Sequence, residues 1–218
     1  MLSSPFLQST MDKEIKEIIG MYEGITSKFY IYLKYLLTPF LSIDDSLPRQ
    51  GRILDIGCGT GAYSIYLYLK SKKRSVCGLD RDSRRIKYAK NITSRIKNLE
   101  FRHIDLNGKY SIPSCEAYLI NDVLHHIPDK SKKWILKSVF SSMPYNGVLV
   151  IKDMSFRSKI KFFLNYLNDI IMTRNDKLYF ISRERLTKML QDIGFKIKAK
   201  ELKGYAFPHI IYTCRKIT

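Results

Sequence analysis

Residues 53–61, ILDIGCGTG, constrain this chain more than any other stretch. Ile53, Leu54 and Ile56 around Asp55 read as a short buried strand. Gly57, Gly59 and Gly61 follow at alternate positions, and residues 62–69 continue as an apolar-rich run of helical length. A strand, a Gly-rich turn and a helix in that order open a nucleotide site in a doubly wound α/β domain. The glycines let the backbone turn sharply and leave room for a ligand against bare peptide groups. A dinucleotide fingerprint, G-x-G-x-x-G, seats a pyrophosphate on a helix N-terminus. Here Asp55 stands two positions before the first glycine, where a carboxylate repels a diphosphate and suits a cationic ligand.

Downstream, strands alternate with helices, which implies a mostly parallel sheet with right-handed crossovers. Strands are expected over 74–79, 99–104, 117–121 and 148–152, with helices over 82–94 and 131–143. Beyond Asp153 the spacing predicts an amphipathic helix over 158–172 and another opening at Ser182 and closing at Gly194. Two final strands follow, over 195–202 and 210–215. Before the glycine unit, helices are expected over 12–19 and 27–41, the second ended by Pro39, and residues 44–48 read as a linker. Residues 1–47 therefore form an N-terminal helical cap on a domain covering 48–218.

Acidic residues punctuate the strand ends. Asp80 lies 19 residues after Gly61, where a carboxylate can accept hydrogen bonds from both hydroxyls of a ribose. Its bland alternative is a helix N-cap, a role that Asp82 and Ser83 already offer. Asp105 ends the third strand, NDVLHHIPD over 121–129 follows the fourth, and Asp153 ends the fifth.

In this order and on these elements, D-I-G-C-G-T-G and D-V-L-H-H-I-P-D resemble motif I and the post-strand-four segment of class I S-adenosylmethionine (SAM)-dependent methyltransferases. The likeness is to the small-molecule and lipid type, the type 11/25 group. It implies a Rossmann-like α/β fold of seven strands in the order 3-2-1-4-5-7-6, the last antiparallel, with helices on both faces. It implies SAM as cofactor and S-adenosylhomocysteine (SAH) as product. It places Asp55, Gly57, Cys58, Gly59, Thr60 and Gly61 along the cofactor, Asp80 and Arg81 at its ribose, and Asp105 and Leu106 at its adenine. Asn121, Asp122 and Val123 then line the methionine end. His125 or His126 becomes a candidate acid/base residue, and because adjacent side chains diverge, both cannot serve one site equally. Asp153 is a candidate to orient or deprotonate a substrate hydroxyl, or else it caps the next segment. Methyl transfer needs no covalent nucleophile, and the neighbours of Cys58 offer it no base.

The acceptor is less constrained. The net charge of +18 admits nucleic acid, an anionic membrane surface or an acidic substrate. Against nucleic acid, the chain carries neither an Asn/Asp-Pro-Pro-Tyr-type motif nor an RNA-binding module. RNA or protein methylation and a non-catalytic SAM-binding module stand as the alternatives. The helices over 27–41 and 158–172 are apolar on one face and dotted with Lys and Arg, a pattern that suits an anionic membrane. A small, apolar, lipid-like or carrier-bound acceptor is therefore expected. The four cysteines are scattered without ligand spacing, which argues for reduced thiols in a cytoplasmic chain, peripheral on the inner membrane face where it meets lipid, and for no metal.

Overall fold

The computed structural model describes residues 11–105, 110–154, 179–202, 205 and 209–216. Seven strands, β1 (Gly51–Ile56), β2 (Arg74–Asp80), β3 (Leu99–His103), β4 (Ala117–Asn121), β5 (Val148–Met154), β6 (Phe195–Leu202) and β7 (His209–Lys216), form one sheet. Their order is β3-β2-β1-β4-β5-β7-β6. β1 to β5 pair in parallel, and β7 runs antiparallel to both β5 and β6. The order expected from the sequence is therefore the one observed. Strand succession reverses between β1 and β4, and in open α/β sheets a ligand crevice opens at the carboxyl ends of the strands at such a point.

The helices are α1 (Lys13–Met21), α2 (Ile25–Leu37), α3 (Phe40–Asp44), α4 (Ala62–Lys70), α5 (Ser83–Ile92), α6 (Asp129–Ser142) and α7 (Arg183–Ile193). Successive strand residues point to opposite faces, so each face receives its own core. Ile53, Val76, Leu119 and Val150 pack with the helical layer of α1 to α5. Leu54, Ile56, Ile120 and Ile151 pack with Leu136 and Val139 of α6 and with Leu186 and Leu190 of α7. Both helix-opening signals act as read: Asp82 accepts from the N–H groups of Arg84 and Arg85, and Ser182 from that of Arg185. Gly194 ends α7 in the left-handed conformation at φ 113°.

The N-terminal segment departs from expectation. The helix predicted over 27–41 breaks at Thr38, which is held extended (φ −111°, ψ 136°) by the proline that follows it. The chain then re-enters a helix as α3, whose Phe40 ring meets Tyr63 and Tyr66 of α4 with centroids 4.8 and 5.1 Å apart. Asp44, read as linker, ends α3 fully buried. It accepts from Arg74 Nη1 at 2.5 Å and also pairs with Arg49. Arg74 is buried too, and its Nε donates to Pro48 O at 2.8 Å. A charge buried this deeply persists only when paired and hydrogen-bonded. The linker is thus a clamp between α3 and the start of β2. The helix expected over 158–172 lies outside the described residues.

Candidate active site

The glycine loop between β1 and α4 has three positive φ angles: 81° at Gly57, 60° at Gly59 and 84° at Gly61. Each glycine answers a different need. A Cβ at Gly57 would lie 2.3 Å from Val123 Cγ2, so only glycine admits the segment after β4 this close. A Cβ at Gly61 would lie 2.6 Å from Phe101 Cζ, which keeps α4 tight on the sheet. At Gly59 a Cβ would meet nothing within 4 Å, so bare backbone faces open space there.

Around this loop the protein supplies acceptors. The N–H groups of Gly57 and Cys58 donate to Leu79 O at 2.7 and 2.9 Å. Asp80, buried at the end of β2, accepts from Gly59 N at 2.8 Å through one oxygen and from Asp82 N at 2.9 Å through the other. Asp55 is buried beneath the loop and accepts from Ser64 Oγ of α4 at 2.6 Å. Burial pushes its carboxyl up to about 6, with Ser64 and Lys34 opposing. Tyr22, from the turn after α1, donates to Thr60 O at 2.7 Å and ties the helical cap to the loop. Burial drives the Cys58 thiol well above its ordinary range, so it carries no thiolate. Arg81 and Asp105 are exposed beyond β2 and β3, and Leu106 lies outside the described residues.

The other wall is made from the ends of β4, β5 and β7. Asn121 Oδ1 at the end of β4 is shielded from solvent and has no hydrogen-bond partner among the described residues. Asp122 adopts a left-handed φ of 57°, a sparsely populated conformation for a residue with a side chain. Its carboxylate takes both oxygens to Lys152 Nζ, Oδ1 at 2.6 Å. Burial raises the Asp122 carboxyl, but the Lys152 ammonium beside it holds it below its ordinary value. A 3-10 turn over Leu124–His126 then carries the two histidines.

The divergence expected of adjacent side chains is not seen: the two rings lie against each other and differ in burial. His125 is 3% exposed, and its Nδ1 lies 2.7 Å from Asp153 Oδ1 at the end of β5. Its neighbour His126 sits half-buried, with the ring centroids 4.2 Å apart and the planes at 51°. The His125–Asp153 pair joins two residues singled out from the sequence. A carboxylate on Nδ1 fixes the proton there and leaves Nε2 with the basic lone pair.

Two members of this wall escaped the sequence reading. The sequence places Lys152 at the last position of a strand, and a lysine amid Val150, Ile151 and Asp153 in a central strand needs a buried partner. His209 opens β7, one residue before the strand was expected to begin. Its Nε2 donates to Leu37 O, at the end of α2, at 2.7 Å. Burial and Lys152 push its ring down to about 3, so it stays neutral. Its Nδ1 is a shielded acceptor without a partner among the described residues. Only an isolated polar residue at the edge of the apolar run over 210–212 signalled it.

A loop with one open glycine, a buried carboxylate at the end of β2 and an unsatisfied amide oxygen at the end of β4 fit a nucleoside with a cationic tail. Residues 48–194 match the family model described as a methyltransferase domain. The chain belongs to this family. It carries a class I SAM-dependent methyltransferase domain, and SAM is its cofactor. A protein of Invertebrate iridescent virus 6 named as a methyltransferase is 34% identical over 54% of this chain, which spans about half (50%) of that protein's length. An uncharacterized methyltransferase of Staphylococcus carnosus is 27% identical over 72% of this chain and 76% of its own. Carboxy-SAM synthases are also among the matches. In fold, the chain is similar to magnesium protoporphyrin IX methyltransferase from Synechocystis with bound SAH, at a TM-score of 0.66 and 18% identity over 94% and 93% of the two chains. Among the described residues no helix is long and apolar enough to cross a membrane.

Proposed function

We propose that this domain methylates a hydroxyl, or a comparably acidic group, on a small apolar acceptor, lipid-like or carrier-bound, with His125 as general base. The observation that carries this is the buried His125–Asp153 hydrogen bond of 2.7 Å at the carboxyl ends of β4 and β5. Asp153 holds the imidazole with Nδ1 protonated, and Nε2 takes the acceptor's proton. A positioned base of this kind contributes about 10²- to 10⁴-fold. Asp153 also stabilises the imidazolium that results. A base only 3% exposed reaches a substrate that enters the fold, which favours a small acceptor over a folded macromolecule. The neutral Nδ1 of His209 supplies a second acceptor atom for orienting a hydroxyl-bearing ligand.

The cofactor's place follows from the same wall. Asp80 has used one lone pair on each oxygen for backbone N–H groups, and a carboxylate offers about four such sites, so it can still accept from ribose hydroxyls. Asn121 Oδ1 can accept from the ammonium of the methionine tail, and the open backbone at Gly59 gives that tail room. When bound, SAM supplies an electrophilic methyl on a sulfonium. The chain's own contribution is alignment, exclusion of water and removal of one proton. Calorimetry with SAH on the wild type and on Asp80→Ala tests the cofactor part: equal affinity would refute it. An acceptor screen scored with His125→Ala tests the chemistry, and an acceptor methylated equally fast by that variant would exclude His125 as base.

A further inference from the structure

Helix α2 is turned inside out relative to an ordinary surface helix. Ile25, Phe29, Tyr32 and Leu36 recur at i, i+4, i+7 and i+11, which confines them to a stripe about 60° wide on a 3.6-residue turn. They are between 41% and 84% exposed. Lys34 lies on the opposite side of the helix from Ile25. There Tyr30, then Asp122 and Asp55, hold its ammonium above its ordinary value against the pull of burial. The half-buried Lys34 side of α2 thus faces the protein, while the apolar side looks out. Single exposed apolar residues are common on any surface, but four in one row mark an interaction face.

Positive charge is exposed on a neighbouring element. The turn before α2 is fastened to α5 by Glu23 N donating to Tyr88 Oη at 3.0 Å and by Tyr22 and Tyr88 rings 5.5 Å apart. Arg81 and, on α5, Arg84, Arg85, Lys87 and Lys90 are exposed. The acids nearby are few: Asp82 is engaged in capping α5 and pairing with Arg84 and Arg85, and Glu23 is exposed. Lys28 borders the stripe on α2 itself. An apolar row with a cationic flank, on a chain of net charge +18, complements an anionic lipid surface and no neutral one.

We propose that α2 and α5 form a docking surface for an anionic bilayer, with the α2 stripe entering the interface and the α5 cations meeting lipid phosphates. Thirteen residues give α2 a length of about 20 Å, enough to lie along the membrane plane. Its purpose rests on the apolar-acceptor reading, since docking sets the site against the phase in which such an acceptor dissolves. The docking itself does not depend on that reading.

The test is flotation of the full chain with vesicles of phosphatidylcholine alone or mixed with phosphatidylglycerol, at low salt. Retention is expected on the mixed vesicles only. The double variant Ile25→Ser, Phe29→Ser should lose about tenfold in retention, and the double variant Arg84→Glu, Lys87→Glu a comparable factor. SAH affinity, read by calorimetry, should be unchanged in both, which shows that they fold. Absence of wild-type retention overturns the proposal. So does retention unaffected by the serine variant, which would mean adsorption by charge alone. A dimer in size-exclusion chromatography that the serine variant dissolves would instead assign the stripe to a second copy of the chain. If the acceptor screen returns only polar acceptors while vesicles still retain the chain, the acceptor reading fails and the docking surface stands.

Discussion

The two ends of the pocket are made of different materials. At the cofactor end the work is done largely by main chain: three positive-φ glycines, N–H groups directed at Leu79 O, and a single carboxylate, Asp80, tying loop to strand. At the acceptor end side chains do it, drawn from the ends of β4, β5 and β7, with one main-chain carbonyl from the end of α2. His125 and Asp153 are 28 residues apart in sequence, Asp122 and Lys152 are 30, and His209 and Leu37 are 172. A backbone site is encoded locally, because its requirement is for residues that lack a side chain. A site of buried charges is encoded by who meets whom across the sheet.

This contrast predicts that lesions at the two ends separate binding from chemistry. The largest effect is expected for His125→Ala. Acceptor turnover should fall by about 10²- to 10⁴-fold while SAH affinity stays within about twofold. Parallel losses in both would mean that His125 is structural. Gly57→Ala should do the reverse, since its Cβ would lie 2.3 Å from Val123 Cγ2 in a left-handed backbone. Strain of about 1–3 kcal/mol corresponds to a loss of roughly five- to 150-fold in SAH affinity by calorimetry. Gly59→Ala carries the strain without a clash inside the protein, but its Cβ would enter the open space assigned to the cofactor's tail, so it should lower SAH affinity as well.

The ends also differ in how they answer pH. Asp55 has its carboxyl raised from 3.8 to about 6, so its contribution to stability is present at low pH and lost as pH rises through that window. His209 is lowered from 6.5 to about 3; its contribution is present above 6.5 and lost as pH falls toward 3. Between pH 4 and 6 the two slopes oppose each other, each at most about 1.4 kcal/mol per pH unit. Removing one should unmask the other. Melting temperature in His209→Gln should fall relative to wild type as pH rises from 4 to 6, and in Asp55→Asn it should rise. Parallel curves for both variants would dissolve the contrast.

The legible part of this molecule is the part whose causes are local. The glycine loop, the caps at Asp82 and Ser182, and the alternation of strands and helices each follow from steric or hydrogen-bonding needs within a few residues, and the strand order followed from them with the family resemblance. His125 and Asp153 were visible as candidates but not as a pair, because nothing in the local chemistry chooses between adjacent histidines. The register of β4 on β5, Asn121 opposite Lys152, brings Asp153 beside the turn that follows β4. Lys152, His209 and the Asp44–Arg74 clamp were missed for the same reason. Each is a polar residue whose partner lies on another element, so its burial is invisible until the sheet and cap are assembled.

Asp80 and Asp82 offer the finest test, because two acids two residues apart play opposite parts. Asp82 caps α5, accepting from Arg84 N at 2.9 Å and Arg85 N at 3.4 Å, and its loss should cost about 1 kcal/mol, a typical N-cap. The helix begins after the cofactor edge, so SAH affinity in Asp82→Ala should change by less than about twofold, once melting is corrected for. Asp80 holds Gly59 and Asp82 N through separate oxygens while facing the loop. Asp80→Asn keeps the shape but sets an NH2 donor against one of the two backbone N–H groups, so it should lose some stability and, once melting is corrected for, bind SAH about tenfold more weakly, since hydrogen bonds to a charged group contribute about 1.5–3 kcal/mol. If Asp80→Asn instead matched Asp82→Ala, destabilised but with full affinity, the carboxylate would be a turn-builder. The cofactor end would then be made of main chain alone.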